Sequence, residues 1–270
     1  MRQDHTVESH SRKDIDLTNI DEVESILQNR DYQAVLYTAG LTDPEACETE
    51  KEKAYFLNAD VPGKMARILA KKNPNAVLIY FSDSMIFDGE KEEPYVESDT
   101  PNPLSVYAKS KWQAEKEISE ASDNYLIIRC SWLFGKKMKG IFKKLVQIYE
   151  EQGELKVAGN YFGNPTYTRD VGHSLNQLIE KKFRGVVHLA AENRCSWYDY
   201  TAEVVRYFKP TDDLVKTVHA IESDASHLKS VRPKNSSLAS EKISNLGIRI
   251  PDWRDGLNRF LSENFKERQA

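Results

Sequence analysis

The stretch AVLIYFSDSMIFDGEKEEPYVESDTPNPLSVYAKSKWQAEK, residues 76–116, decides how this chain is read. It opens with an unbroken apolar run, residues 76–81, of the length and composition of a strand buried on both faces. The run ends in Ser82-Asp83-Ser84-Met85-Ile86-Phe87-Asp88-Gly89, and a charged loop continues to residue 102. A helix then opens after Pro101 and Pro103. On it Tyr107 and Lys111 stand four residues apart, so they stack on one face about a turn from each other. An ammonium beside a phenol favours the phenolate, which predicts a tyrosine able to hand a proton to a substrate oxygen near neutral pH. The same spacing also arises on solvated helices, so the strand and loop ahead of it carry the argument.

Outward from this stretch, strands and helices alternate. Asp14-Ile15-Asp16-Leu17-Thr18 reads as a short strand running into a helix cap, and Ile20, Val23, Ile26 and Leu27 mark one face of the helix behind it. Residues 33–38 read as a second strand ending at Ala39-Gly40, and charged helical sequence covers 44–58. A helix over 61–72 carries Pro62 in its first turn, where the missing N–H costs nothing. Strands at 125–129 and 186–189 and helices at 141–151 and 171–182 continue the pattern. This alternation predicts a doubly wound parallel α/β sheet. The expected division is a Rossmann-like domain over 1–135 and 171–191 and a smaller lobe over 136–170 and 192–270.

The bulk properties narrow the function. With 270 residues, 40% hydrophobic and 30% charged, the chain can bury a sizeable core. A net charge of −4 with no dense basic run argues against a nucleic-acid binder. No apolar stretch approaches the roughly 20 residues of a membrane span, and the polar opening MRQDHTVESHSRKD lacks a secretory leader's apolar run. Cys47, Cys130 and Cys195 show no CxxC spacing, which points to a reduced, cytoplasmic protein. His5, His10, His173, His188, His219 and His227 are scattered without ligand spacing, so no metal site is expected.

The Phe87-Asp88-Gly89 turn, the PNPL lead-in at 101–104, Ile128-Arg129-Cys130-Ser131-Trp132, Tyr161-Phe162-Gly163-Asn164-Pro165-Thr166 and Arg232-Pro233-Lys234-Asn235-Ser236-Ser237-Leu238 occur in this order. Together they closely resemble the dTDP-4-dehydrorhamnose reductase family of extended short-chain dehydrogenases/reductases, over about residues 14–265. The resemblance implies reduction of a nucleotide-linked 4-keto sugar by NADPH or NADH. It implies that Tyr107 protonates the carbonyl oxygen while Lys111 lowers its pKa and holds the nicotinamide ribose. Asp16 and Leu17 would lie toward the adenine, and Ala39 and Gly40 would run beside the cofactor. Ser82, Trp132, Asn164 and Arg232 would line the sugar-nucleotide side, with a homodimer as the possible assembly. Plainer readings stand beside these: Asp16 as a helix-start acid, Trp132 as core, Arg232 as a surface ion pair.

Two departures from the family qualify the expectation. The first glycine in the chain is Gly40, so the glycine-rich turn that lets a pyrophosphate approach a helix N-terminus is missing. An N-terminally truncated Rossmann sheet is expected, with residues 5–9 sliding into the vacated central slot. The second departure is Asp83, which stands where the family has its catalytic Ser or Thr. A hydroxyl donates and accepts, whereas a carboxylate only accepts; Asp83 would repel the developing oxyanion and raise the Tyr107 pKa as Lys111 lowers it, and it could donate only if burial kept it protonated. Asp83 could also simply cap a loop. These departures keep open a non-catalytic binding or regulatory protein, like the regulatory subunit of methionine adenosyltransferase, which the chain also resembles at its FDG and RPxNSxL regions, or a truncated gene product.

Overall fold

The computed structural model describes residues 5–209, 218–223 and 228–265, and side chains outside 138–141; His227 lies outside the described residues. In chain order the strands of the main sheet are β1 (Ala34–Tyr37), β2 (Val77–Asp83) and β3 (Tyr125–Cys130). Four short pieces, β4 (Leu133–Phe134), β5 (Leu155–Ala158), β6 (Phe162–Gly163) and β7 (Thr166–Tyr167), precede the fourth strand of that sheet, β8 (Gly185–Leu189). β1, β2, β3 and β8 form one parallel sheet in that order, with Tyr37 opposite Tyr80, Asp83 opposite Cys130 and Ile128 opposite Val187.

The period-2 alternation of a strand sends the apolar run of β2 to both faces. Leu78 and Tyr80, with Ile127 of β3, meet α1 (Ile20–Gln28), α4 (Val61–Lys72) and α5 (Val106–Ala121) through Val23, Leu27, Met65, Leu69, Ala114 and Ile118. Val77 and Ile79, with Leu126, Ile128 and Val187, meet the opposite layer. That layer holds α7 (Thr168–Glu180) and the last helix, α10 (Trp253–Asn264), whose Trp253 and Phe260 are wholly buried. Phe134, Phe142, Tyr167 and Phe260 pack as an aromatic knot in the same cluster. The sheet and the C-terminal helices therefore share one core.

Two further helices, α2 (Pro44–Thr49) and α3 (Lys51–Tyr55), occupy most of the expected helical stretch after Gly40, and a π-helical turn covers Phe56–Asp60. The break falls at Glu50, whose φ of −111° and ψ of 53° leave the helical region. Elsewhere, α6 (Lys139–Gln152) and α8 (Trp197–Phe208) flank β5, which pairs in parallel with β10 (Val218–Ile221). β9 (Cys195–Ser196) pairs antiparallel with β6, and a five-residue helix, α9 (Glu241–Asn245), leads toward α10. No helix among the described residues is long and apolar enough to cross a membrane.

The N-terminal expectation is corrected. Neither residues 5–9 nor residues 14–18 form a strand, and the sheet ends at β1 rather than taking the first segment into its centre. Local side-chain hydrogen bonds explain this. Asp14 Oδ2 accepts from the Ser11 backbone and hydroxyl, and Asp16 Oδ1 accepts from both the backbone and hydroxyl of Thr18. Such bonds offer the backbone turns in place of a ladder. The segment then ends at Asn19, whose side chain accepts from Glu22 N and caps α1. Leu36 on the outermost strand is 39% exposed.

Candidate active site

α5 begins where Ser105 accepts a hydrogen bond from Ala108 N at 3.2 Å, and Pro103 just ahead keeps the chain extended up to that cap. The phase set by this cap turns Tyr107, Lys111 and Glu115 toward the sheet at successive turns, and all three are buried. Tyr107, only 6% exposed, rests among Cys47, Ala54, Leu41 and Met85. Its hydroxyl donates to Asp83 Oδ2 at 3.0 Å. The other carboxylate oxygen of Asp83 accepts from Met85 N at 2.8 Å. Asp83 thus does both things the sequence allowed: it caps the 3-10 turn Ser84–Ile86 and it engages the tyrosine.

Lys111 reaches the end of β2, where its ammonium donates to Phe81 O at 2.5 Å and lies 4.4 Å from the centre of the Tyr80 ring. Burial lowers its pKa to about 8, against the pull of Asp83 and Glu115. The expected effect on Tyr107 is reversed in this arrangement. Burial, followed by the Asp83 charge and hydrogen bond, pushes the phenol well above its ordinary value. Asp83 feels Lys111 instead: burial raises its pKa, opposed by the Met85 amide, Lys111, Tyr107 and Arg232.

Arg232, distant in sequence, also acts on Asp83 through its charge. It pairs with Glu45 Oε1 of α2 at 3.4 Å, and the same carboxylate accepts from Lys229 N and Ser230 N. Among the described residues its buried Nε has no hydrogen-bond partner, nor has the buried hydroxyl of Ser82. Asn164 is not comparably free. Its amide nitrogen donates to Ala191 O and Asn193 O, its side-chain oxygen accepts from Leu238 N, and its backbone N–H donates to Ser131 Oγ. Asn164 therefore pins three loops together.

Trp132 has φ of +40°, an uncommon conformation for a tryptophan, and its ring stacks on Trp197 with centroids 4.2 Å apart. A Cβ at position 163 would sit 2.3 Å from the Trp132 ring, so Gly163 makes room for it. Trp197, 40% exposed, is a residue the sequence reading missed, because nothing in its spacing points to Trp132. Gly40 has φ of +154°, and a Cβ there would lie 2.6 Å from Asn58 Oδ1. Asn58 is a second missed residue. It accepts from Leu41 N and donates to Ser110 Oγ, tying the loop after β1 to the helix of Tyr107.

Asp16 and Leu17 sit farther off. Asp16 is exposed, Leu17 packs against the α1/α4 core, and neighbouring Thr18 borders an open depression with Lys51, Tyr55, Phe56 and Asp60. Ala39 is partly buried against the same core.

A phenol and an ammonium one helical turn apart, at the carboxyl end of a parallel strand and beside an arginine from another loop, define a Rossmann-like reductase of the extended short-chain type. The chain belongs to the RmlD substrate binding domain family, whose model matches residues 1–265. It is 29% identical over 258 residues to dTDP-4-dehydrorhamnose reductase of Escherichia coli K12, covering 93% of this chain and 86% of that one. It is 28% identical over 229 residues to the spore coat polysaccharide biosynthesis protein SpsK of Bacillus subtilis, covering 85% and 78%. Among solved structures, dTDP-4-dehydrorhamnose reductase of Bacillus anthracis in complex with NADP is similar with a TM-score of 0.87 and 26% identity, covering 97% of this chain and 92% of that one. The enzyme from Clostridium acetobutylicum gives 0.85 and 27%, covering 93% and 88%.

Proposed function

We propose that this chain reduces the 4-keto group of a nucleotide-linked sugar, using NADPH or NADH, in the making of a deoxysugar or polysaccharide precursor. The observation that carries this reading is the placement of Tyr107 and Lys111 at the end of β2 with Arg232 alongside. The names of its relatives, dTDP-4-dehydrorhamnose reductase and SpsK, support the substrate class.

The nicotinamide end of a dinucleotide fits the residues present. Lys111 would hold the nicotinamide ribose with its ammonium, which spends one bond on Phe81 O, and a side chain at Gly40 is excluded by Asn58. For the pyrophosphate end no glycine precedes Gly40 in the sequence. When bound, the dihydronicotinamide supplies a hydride to the carbonyl carbon. Tyr107 holds the proton that the carbonyl oxygen must receive, and its apolar bed of Cys47, Ala54 and Met85 keeps water away from the hydroxyl. Lys111 places a positive charge beside the site and thereby favours the developing oxyanion. Arg232, with its unpartnered Nε, is assigned to the diphosphate of the sugar nucleotide, since a guanidinium binds two phosphate oxygens at once. Trp132 and Trp197 offer the sugar nucleotide a flat apolar wall. The buried, unsatisfied Ser82 hydroxyl is assigned to the same sugar side, while Asn164 shapes the site through the loops it holds.

The two-lobe division, with the sheet binding cofactor and residues 136–170 and 192–270 binding sugar, belongs to the same reading. So does a cytoplasmic setting, supported by free, buried Cys47, Cys130 and Cys195. The test is to mix the full chain with NADPH and dTDP-4-dehydrorhamnose and follow loss of dihydronicotinamide absorbance. Turnover that falls by about 10²–10⁴-fold in Tyr107→Phe supports the reading. One observation favours a second reading, a non-catalytic binder: Asp83 occupies the Tyr107 hydroxyl. Nucleotide-sugar binding with no oxidation of NADPH at any pH would decide for it.

A further inference from the structure

We infer that Asp83 switches proton delivery: Tyr107 gives its proton to the sugar oxygen only when the Asp83 carboxyl is itself protonated, and Asp83 then reprotonates the phenolate. The inference rests on the reductase reading for the identity of the proton's destination.

Its basis is the direction of one hydrogen bond. A carboxylate carries no hydrogen, so across the 3.0 Å between Tyr107 Oη and Asp83 Oδ2 the phenol must be the donor. The hydrogen that a substrate oxygen needs is therefore committed to Asp83. The carboxylate is also held in place, because Met85 N fixes its other oxygen at 2.8 Å.

Charged and titratable groups face the pair from every side. Lys111 comes from α5, Cys130 from β3, Tyr80 from β2, and Arg232 from the loop after β10; Cys47 of α2 faces Tyr107, and Glu115 faces Lys111. The two cations favour the carboxylate, while burial favours the neutral acid and is the largest influence.

In the protonated state the direction reverses. The carboxyl O–H points at the phenol oxygen, and the phenol O–H turns to the substrate. As hydride reaches the carbonyl carbon, the phenol O–H breaks and an O–H forms on the sugar. The carboxyl O–H then breaks and the phenolate regains a hydrogen. What remains is a carboxylate accepting from a phenol, the pair present in this structure, and one proton from solvent resets it. Asp83 is thus a positioning residue that acts through Tyr107.

Asp83→Asn keeps an acceptor for Met85 N but cannot titrate; Asp83→Thr restores a hydroxyl. Tyrosinate absorbance is titrated in the full chain, with and without Tyr107→Phe to isolate this phenol, in the native and Asp83→Asn backgrounds. The phenol's acid dissociation constant is expected to rise at least tenfold in Asp83→Asn. An unmoved titration overturns the inference whether or not the protein is active. Turnover of the keto sugar is then followed against pH. Native activity is expected to fall with rising pH, and Asp83→Thr to lose that fall and gain at least tenfold above it. A native profile that Asp83→Thr reproduces overturns the switch. A shifted phenol titration with no turnover by Asp83→Thr leaves the two groups coupled but removes the reductase reading, and the delivery step with it.

Discussion

Helix α5 carries two buried polar clusters, one turn apart, and they are built on opposite terms. In the first, both oxygens of Glu115 accept from Arg129, with 2.7 Å to Nη2. The third arm of the guanidinium meets His188 Nε2 at 3.4 Å, and its face lies over Phe87. His188 in turn directs Nδ1 to Ala239 O, and its backbone N–H donates to Glu97. In the second cluster, Asp83, Tyr107 and Lys111 share one end of β2 beside the unpartnered Ser82 hydroxyl and Arg232 Nε. The first is closed on itself; the second is short of partners. Buried polar groups with their bonds made rigidify a core, whereas perturbed groups left beside unsatisfied polar atoms mark a candidate site for chemistry.

Removing Glu115 should break this contrast most severely. Glu115→Ala strands the Arg129 charge in the core and should cost about 3–5 kcal/mol in denaturant unfolding.

Acid should come next. His188 is wholly buried, and burial with the neighbouring Arg129 charge lowers its pKa from 6.5 to about 3. Below 6.5 the unfolded chain binds a proton that the folded chain refuses. The stability contributed by the neutral ring is therefore full above pH 6.5 and lost as pH falls toward 3, about 3–5 kcal/mol in all. Unfolding curves across that window should show the loss, and His188→Gln should flatten it.

In the open cluster the sign differs. Lys111 has a folded pKa near 8 against 10.5, so at neutral pH its charge costs stability, and that cost is relieved as pH rises from 8 to 10.5. Lys111→Met should gain about 1–2 kcal/mol at neutral pH, lose the rise with alkali, and abolish turnover. A stability loss in Lys111→Met would show that the second cluster is structural after all. Asp83→Asn should have the smallest effect on thermal unfolding, about 1 kcal/mol or less, because the cap on Met85 survives.

The sheet was legible in the sequence because its strands are unbroken apolar runs. Residues 76–81 required a strand buried on both faces, and the observed β2 sends alternate side chains into two cores. The N-terminal segment was misread for a matching reason. Ile15 and Leu17 alternate with Asp14 and Asp16 as in a half-buried strand, but those aspartates take the nearest backbone N–H groups and curl the chain into turns. At the site, spacing along one helix placed Tyr107 and Lys111 together. The opposing pull of Asp83 was legible too, but the outcome was not, because it is decided by burial contributed by α2 and α3, distant in sequence from Tyr107. The stacking of Trp197 on Trp132 and the pairing of Arg232 with Glu45 depend likewise on chain-distant loops.

The exposed rim formed by β1 has a practical consequence. A strand whose outer backbone groups meet no described neighbour, with Leu36 facing solvent, is a template for another extended chain. Concentrated samples should therefore grow sideways in a way that dilution reverses, and a charged side chain in place of Leu36 should blunt that growth while sparing turnover.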